Sequence, residues 1–339
     1  MKKRTPSYLL LFIIGLLVPA HAMASTLDVV KKRGYVTCGV SQGLPGFSNP
    51  DDSGAWQGID VDLCKAIAAA IFGDANKTKF LPLSAKTRFT ALQSGEIDVL
   101  TRNTTWSLQR DAALGVDFPA VNFYDGQGFM VSKELGISSV RELDGASICV
   151  NAGTTTELNA ADYFRTHKMD YEINTYENSN EALIAYDSGR CDAYTTDLSG
   201  LAAQRLKLKN PDGHIVLPEI ISKEPLGPLV REGDNQWADV VRWSFNAMLA
   251  AEELGVNSGN VEKMRNADNP PIRRLLGTEN ALGEYLGLPE DWAFQIIKQV
   301  GNYGESYDRT VGKDSPLQIP RELNALWTNG GLQFAPPIR

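Results

Sequence analysis

Three histidines and four cysteines in 339 residues leave almost nothing from which to assemble a metal centre. The cysteines stand apart at Cys38, Cys64, Cys149 and Cys191, with no C-x-x-C pair and no H-E-x-x-H. Neither structural nor catalytic zinc has support, and no motif asks for a cofactor. Positive charge is also short, with 33 Lys and Arg against 41 Asp and Glu, a net charge of -8 and a pI near 5.1. No Lys/Arg run stands out beyond the first few residues, so there is no basic field for a phosphate backbone, and nucleic acid is excluded as a partner. Past the first two dozen residues no apolar run is long enough to span a bilayer. Repeats of 20–50 residues and low-complexity stretches are absent as well. What remains is a chain with 43% hydrophobic and 22% charged residues, ordinary values for a folded protein, and long enough to favour two domains over one.

The first segment has three parts: the cations Lys2, Lys3 and Arg4, an apolar run over residues 8–18, and Ala22-Met23-Ala24 ahead of Ser25. This is the pattern of a secretory signal peptide, and the apolar run is about half the ~20 residues of a spanning helix. Residues 1–24 are therefore expected to be removed near Ala24, leaving a mature chain more acidic than the precursor, soluble, outside the cytoplasm and monomeric. Export makes disulfides the expected state of an even number of cysteines, and three pairings are possible. Cys38–Cys64 with Cys149–Cys191 closes the shorter loops and keeps each bond within one half of the chain.

From residue 27 onward, short β-rich runs alternate with helical ones, the mark of an α/β fold with a mostly parallel sheet. Strands are expected at 35–40, 79–83 and 97–100, and helices at 60–71, 85–93 and 106–113. After an extended stretch at 121–132 the rhythm restarts, with strands at 147–150, 171–176, 192–195 and 214–217 and helices at 155–166, 179–188 and 197–207. A second extended stretch, 220–230, leads into an amphipathic helix at 237–253. Two βα lobes joined by two extended crossings imply a cleft between them. The expected division is 25–128 and 227–266 for the first lobe, 129–226 for the second, and 267–339 for a Pro-rich C-terminal extension packed on a lobe, with short helical pieces at 290–300 and 321–329.

Ligands of open α/β sheets bind outside the carboxyl ends of strands, which directs attention to three segments. Thr101-Arg102-Asn103-Thr104-Thr105-Trp106-Ser107-Leu108-Gln109-Arg110 leaves a strand as a polar run and enters a short helix whose Arg is able to grip a carboxylate through two parallel hydrogen bonds. Ala152-Gly153-Thr154-Thr155-Thr156-Glu157 is a small polar turn into a helix whose free N–H groups attract an anion. Asp197 follows a strand end, where its carboxylate either receives an ammonium group or merely caps the helix beginning at Leu198. An Arg from one lobe and an Asp from the other fit an α-amino acid.

The chain resembles the periplasmic amino-acid-binding proteins of ABC transporters, solute-binding family 3. The resemblance rests on Gly58-Ile59-Asp60-Val61-Asp62-Leu63, on Ala91-Leu92-Gln93-Ser94-Gly95-Glu96-Ile97-Asp98-Val99 with the polar run to Arg110, on Gly153-Thr154-Thr155, and on Gly189-Arg190-Cys191-Asp192-Ala193-Tyr194-Thr195-Thr196-Asp197. The long tail and the four cysteines look like its general L-amino-acid-binding subgroup. The resemblance implies a type II periplasmic-binding-protein fold, capture of free L-amino acids by hinge closure, and delivery to inner-membrane permease subunits. It implies that Arg110 clamps the ligand α-carboxylate, that Thr105 and Asn103 bind its backbone groups, that Thr155 with Thr154 beside it reaches the carboxylate from the second lobe, and that Asp197 receives the α-ammonium. Leu44 stands where basic-amino-acid binders carry a stacking aromatic, which suits a broad pocket. Arg88 matches a position shared with acidic-amino-acid binders and is either a side-chain contact or a surface residue, and Trp106 flanks the clamp. The rival expectation is an exported arogenate or cyclohexadienyl dehydratase of the same fold, for which Glu157 is the candidate proton-transfer acid.

Overall fold

The computed structural model describes residues 25–339, and the expected signal segment lies outside the described residues. The first helix, Thr26–Arg33, has no strong apolar periodicity and is set by its ends. Ser25 accepts a hydrogen bond from the Asp28 N–H, and Gly34 closes the last turn in the left-handed conformation.

Val36–Val40 is buried at every position and forms the centre of a parallel three-stranded sheet between Thr78–Pro82 and Val99–Leu100. A strand with no exposed residue needs cover on both faces. Helix Ile59–Phe72 packs against it, and the Cys38–Cys64 disulfide fastens the two together. A second sheet has five strands in the order Tyr171–Tyr176, Ala146–Asn151, Ala193–Asp197, Gln127–Ser132 and His214–Val216. Its first three strands are parallel, as the βα rhythm predicts, but Gln127–Ser132 pairs antiparallel with both of its neighbours. That strand arrives directly from the other sheet rather than through a crossover helix, so nothing obliges it to run parallel. Cys149–Cys191 ties the strand Ala146–Asn151 to the residues just ahead of Ala193–Asp197. Both disulfides are those expected from the spacing.

The chain passes between the sheets twice. Phe123–Asp125 on the way out and Glu224–Leu226 on the way back lie side by side, antiparallel, with Asp125 directly opposite Glu224. At Gly227 a Cβ would stand 2.1 Å from the Ala120 carbonyl oxygen, so only glycine lets the two backbones meet there.

Helix Asn235–Glu253 returns across the first sheet's helical layer and joins one core with Ile67, Ala70, Val241 and Met248. The C-terminal residues enter this same core through Trp292, Ile296, Ile297, Tyr303 and Tyr307. The 290–300 piece is the helix Trp292–Gln299, whereas 321–329 is not one helix. It is two short 3-10 turns, Glu322–Asn324 and Trp327–Asn329, because the chain doubles back so that Trp327 N–H reaches the Gln333 carbonyl.

This doubling back grips the outgoing crossing strand. Gln333 donates to the Val121 carbonyl at 3.3 Å, Tyr303 to the Asn122 carbonyl at 2.9 Å, and Asn324 both accepts from Tyr124 N–H at 2.7 Å and donates to its carbonyl at 2.9 Å. Buried Asn324 thus completes the strand's hydrogen bonding as a neighbouring strand would. Asn324→Ala leaves Tyr124 N–H without its partner and is expected to lower the unfolding free energy by about 1–3 kcal/mol. Urea denaturation measures it, and an unchanged midpoint would show that the strand does not need the tail.

Candidate ligand-binding site

Four strand ends converge on one cleft. Val36–Val40 delivers Ser41 and Leu44, Val99–Leu100 delivers Arg102, Asn103 and Thr105, Ala146–Asn151 delivers Asn151, Thr154 and Thr155, and Ala193–Asp197 ends on Asp197 itself. Both sheets turn their carboxyl ends toward the same space, the place where α/β sheets bind ligands. The walls touch at three points: Thr105 Oγ1 and Thr155 Oγ1 are 3.2 Å apart, Lys207 Nζ donates to the Gly43 carbonyl at 2.7 Å, and exposed Lys86 pairs with Glu177 at 3.0 Å.

Asp197 occupies the N-cap position of helix Leu198–Arg205 but makes no side-chain capping bond. Capping therefore does not account for it, and its buried carboxylate lines the cleft instead. Burial holds its carboxyl well above the usual range, the nearby carboxylates of Asp125 and Glu224 push the same way, and Arg88 opposes them. The two threonines of the second wall separate in role. Thr154 caps helix Thr155–His167, accepting from Glu157 N–H and donating to the Asn151 carbonyl at 2.6 Å, so its hydroxyl is committed. Thr155 keeps its hydroxyl in the cleft. Glu157 accepts from Gly153 N–H at 2.9 Å and is not part of the cleft lining.

On the first wall, Ser107 caps helix Leu108–Ala113 and so fixes the start of the turn that carries Arg110. Arg110 is buried beside Phe89, donates to the Thr105 carbonyl at 2.9 Å, and lies just behind the lining residues rather than among them. Burial lowers its affinity for a proton, and Glu224 and Asp197 partly restore it. Arg88 lines the cleft and is only 2% exposed, donating to Thr104 Oγ1 at 3.0 Å, so it is not a surface residue. Leu44 lines the cleft and is buried. Trp106 stacks on Phe118 with ring centres 5.7 Å apart and stands outside the lining.

Two charged residues at the cleft have no place in the sequence reading of the site, one in its lining and one linked to it by hydrogen bonds. Arg102 lines the cleft although the polar run marked it only as part of a loop. Glu224, on the returning crossing strand, is 1% exposed and accepts from Thr105 Oγ1 at 2.5 Å, Thr155 Oγ1 at 3.0 Å, Asn159 Nδ2 at 2.7 Å and Ser222 Oγ at 2.5 Å. Glu224 stands beside Ser222 and Lys223 in the 220–230 stretch, so the local sequence carries no signal that separates it from a solvated acid. Together the residues form a polar cleft with carboxylate acceptors and guanidinium donors facing a common space, suited to a small ligand that carries both charges.

A profile of the bacterial extracellular solute-binding proteins, family 3, matches residues 36–256. The chain belongs to that family. Among its members it is 59% identical over 320 residues to the general L-amino acid-binding periplasmic protein AapJ of Rhizobium johnstonii, covering 94% of each chain. It is 53% identical over 327 residues to the glutamate/glutamine/aspartate/asparagine-binding protein BztA of Rhodobacter capsulatus, covering 96% of this chain and 97% of that one. A solved family structure, a periplasmic binding protein from Brucella ovis with glutathione bound, superposes with a TM-score of 0.92 at 60% identity, covering 94% of this chain and all of the other. Family 3 membership brings with it the type II periplasmic-binding-protein fold, which the two sheets and paired crossings of this chain display.

Three buried acids, one of them in the cleft lining, make the stability of this family member depend on pH. Burial pushes the Asp60 carboxyl up to about 7 and that of Asp125 to about 6, against hydrogen bonds from Asn122 and Ser199 respectively, and Asp197 moves in the same direction. Raised folded-state values mean that the folded protein holds more protons than the unfolded chain, so stability is lost as pH rises through them. His214, held below its ordinary value by burial, acts in the opposite sense as one group against three. The ligand-free melting temperature is therefore expected to fall as pH rises from about 5 to about 8, and a melting temperature that climbs over this range in scanning calorimetry would contradict the assignment.

Proposed function

We propose that this protein captures free L-amino acids of broad range outside the cytoplasm and delivers them to the permease subunits of an inner-membrane ABC importer. The observation that carries the reading is the uncapped, buried carboxylate of Asp197 facing buried arginines across one cleft, a charge arrangement complementary to a zwitterion. In this reading Arg110 clamps the α-carboxylate, Asn103, Thr105 and Thr155 bind the remaining backbone groups, and Asp197 receives the α-ammonium. Leu44 leaves room for varied side chains. The names of AapJ and BztA as amino-acid-binding proteins support it. Glutathione, bound in the Brucella ovis relative, carries an α-ammonium and α-carboxylate at its γ-glutamyl end and belongs among the ligands to be tested.

Export follows from the signal-like segment 1–24 with its exit at Ala24, and periplasmic residence from the family. Residues 25–128 with 227–266 act as one lobe carrying the 267–339 extension, and residues 129–226 as the other. Each lobe holds one part of the zwitterion, so only the closed form makes every contact, and ligand shifts the population by that difference in affinity. On this reading the protein is a monomeric binder; against the dehydratase alternative, Glu157 accepts from Gly153 N–H and stands off the cleft.

Arg110→Ala and Asp197→Ala are each expected to abolish measurable binding while leaving the ligand-free melting temperature nearly unchanged. Calorimetric titration with the twenty L-amino acids and glutathione, on protein unfolded and refolded to strip carried-over ligand, decides it. Wild-type affinity in either variant refutes the assignment.

A further inference from the structure

Helix Leu198–Arg205 begins with an aspartate in the capping position, yet its cap is supplied from elsewhere. Leu198 N–H donates to the Gly126 carbonyl at 2.7 Å. Ser199 gives its N–H at 3.3 Å, and its hydroxyl as well, to Oδ2 of Asp125, 74 residues earlier on the outgoing crossing. The other oxygen, Oδ1, accepts from Gly126 N–H at 2.8 Å, so the acid is fixed by its own backbone while it holds the helix. The N–H of the second helical residue is one of the donors that an N-cap side chain ordinarily satisfies. Here a carboxylate from the neighbouring strand satisfies it, and the Asp197 side chain makes no bond there.

The two acids face different spaces. Asp197 lines the ligand cleft, whereas Asp125 lines a separate cavity with Ser199, Ile220 and Asn324, between the crossing and the C-terminal extension. Asp197 pairs with Gln127 in the second sheet, two residues beyond Asp125, so the strand that sets its register also supplies the cap. Aspartate is among the preferred N-cap residues, and Asp197 stands where a side chain reaches the Ser199 N–H. Two constraints keep it out of that role: the N–H is already taken, and Asp125 carries a like charge beside it. Burial first, and then the carboxylates of Asp125 and Glu224, hold the Asp197 carboxyl well above its usual range. The positive end of the helix favours one anion, and with Asp125 in that place the second carboxylate is left for the cleft.

We infer that Asp125 is a positioning residue for ligand capture: by capping helix Leu198–Arg205 from the crossing strand, it keeps the Asp197 carboxylate turned into the cleft, where the ligand ammonium is received. Without Asp125 the Ser199 N–H is vacant, and Asp197 turns to cap its own helix and leaves the cleft. The last step, receipt of the ammonium, rests on the amino-acid-binding reading. The exchange of caps does not, because it is a property of the ligand-free protein.

Asp125→Ala, Asp197→Ala and the double variant test it. Amide hydrogen exchange over residues 198–205 of the refolded, ligand-free protein reads the cap. Each single variant keeps one capping acid and is expected to exchange close to the wild-type rate, whereas the double variant keeps none and exchanges about 3- to 30-fold faster, the equilibrium equivalent of a lost N-cap. Additive effects of the two substitutions, or wild-type exchange in the double variant, would show that Asp197 does not take over and would overturn the inference. A crystal structure of Asp125→Ala is expected to show the Asp197 carboxylate accepting from the Ser199 N–H; a carboxylate still in the cleft overturns it as well. In titration calorimetry with the twenty L-amino acids, Asp125→Ala is expected to bind every ligand of the wild type about 3- to 30-fold more weakly, because all of them share the ammonium. Undiminished affinity, or a loss confined to some side chains, overturns the positioning role and leaves amino-acid binding intact. A wild type that binds none of the twenty overturns the binding reading and this role with it, whatever the exchange rates show.

Discussion

One carboxylate holds the two walls of the cleft in register. Glu224 sits on the crossing strand, outside either sheet, and takes hydrogen bonds from Thr105 on one wall, from Thr155 and Asn159 on the other, and from Ser222 on its own strand. Four donors, two on each oxygen, satisfy the carboxyl group, so the acid is buried with its polar atoms partnered. The position of the two threonine hydroxyls, and with them the width of the cleft floor, follows from this arrangement.

The charges around that floor are kept at the expense of stability. Asp197, Asp60 and Asp125 are held in their neutral forms more strongly than a solvated carboxyl, and Arg88 and Arg102 are buried together despite their repulsion. A cleft selected only for stability would replace them with apolar side chains. The disulfides offset some of this locally: each ties a buried strand to a neighbouring segment within the same sheet system, and neither spans the crossings. The C-terminal tail contributes in the same way, through Tyr303, Asn324 and Gln333, which complete the backbone hydrogen bonding of the outgoing crossing strand.

Most of the fold is legible in the chain because its signals are local. The alternation of β-rich and helical runs marks the strands at 36–40, 146–151 and 171–176 and the long helix at 235–253, and loop length is enough to favour Cys38–Cys64 and Cys149–Cys191. The exceptions are elements whose partners are distant. The antiparallel sense of Gln127–Ser132 depends on where the crossing enters the second sheet, and the turns at 322–329 depend on the chain folding back to Gln333. In the site, Asp197 and the turn carrying Thr155 stand at strand ends and are found from that position, whereas Arg88 and Leu44 are reached only through the family resemblance.

The sequence by itself determined the acidic α/β chain and the polar strand ends from which a cleft is made, since each of these is written in adjacent residues, and loop length favoured the observed cysteine pairs. Tertiary structure alone decided which polar groups are spent and which are free. Thr154 is consumed by its own helix and Thr155 donates instead to the shared acceptor Glu224; Asp197 stands at a cap position without capping, and Arg102 is bare. Whether Glu224 and its donors are satisfied depends on segments far apart in the chain, 69 residues from Thr155 and 119 from Thr105, and no local pattern encodes that distance.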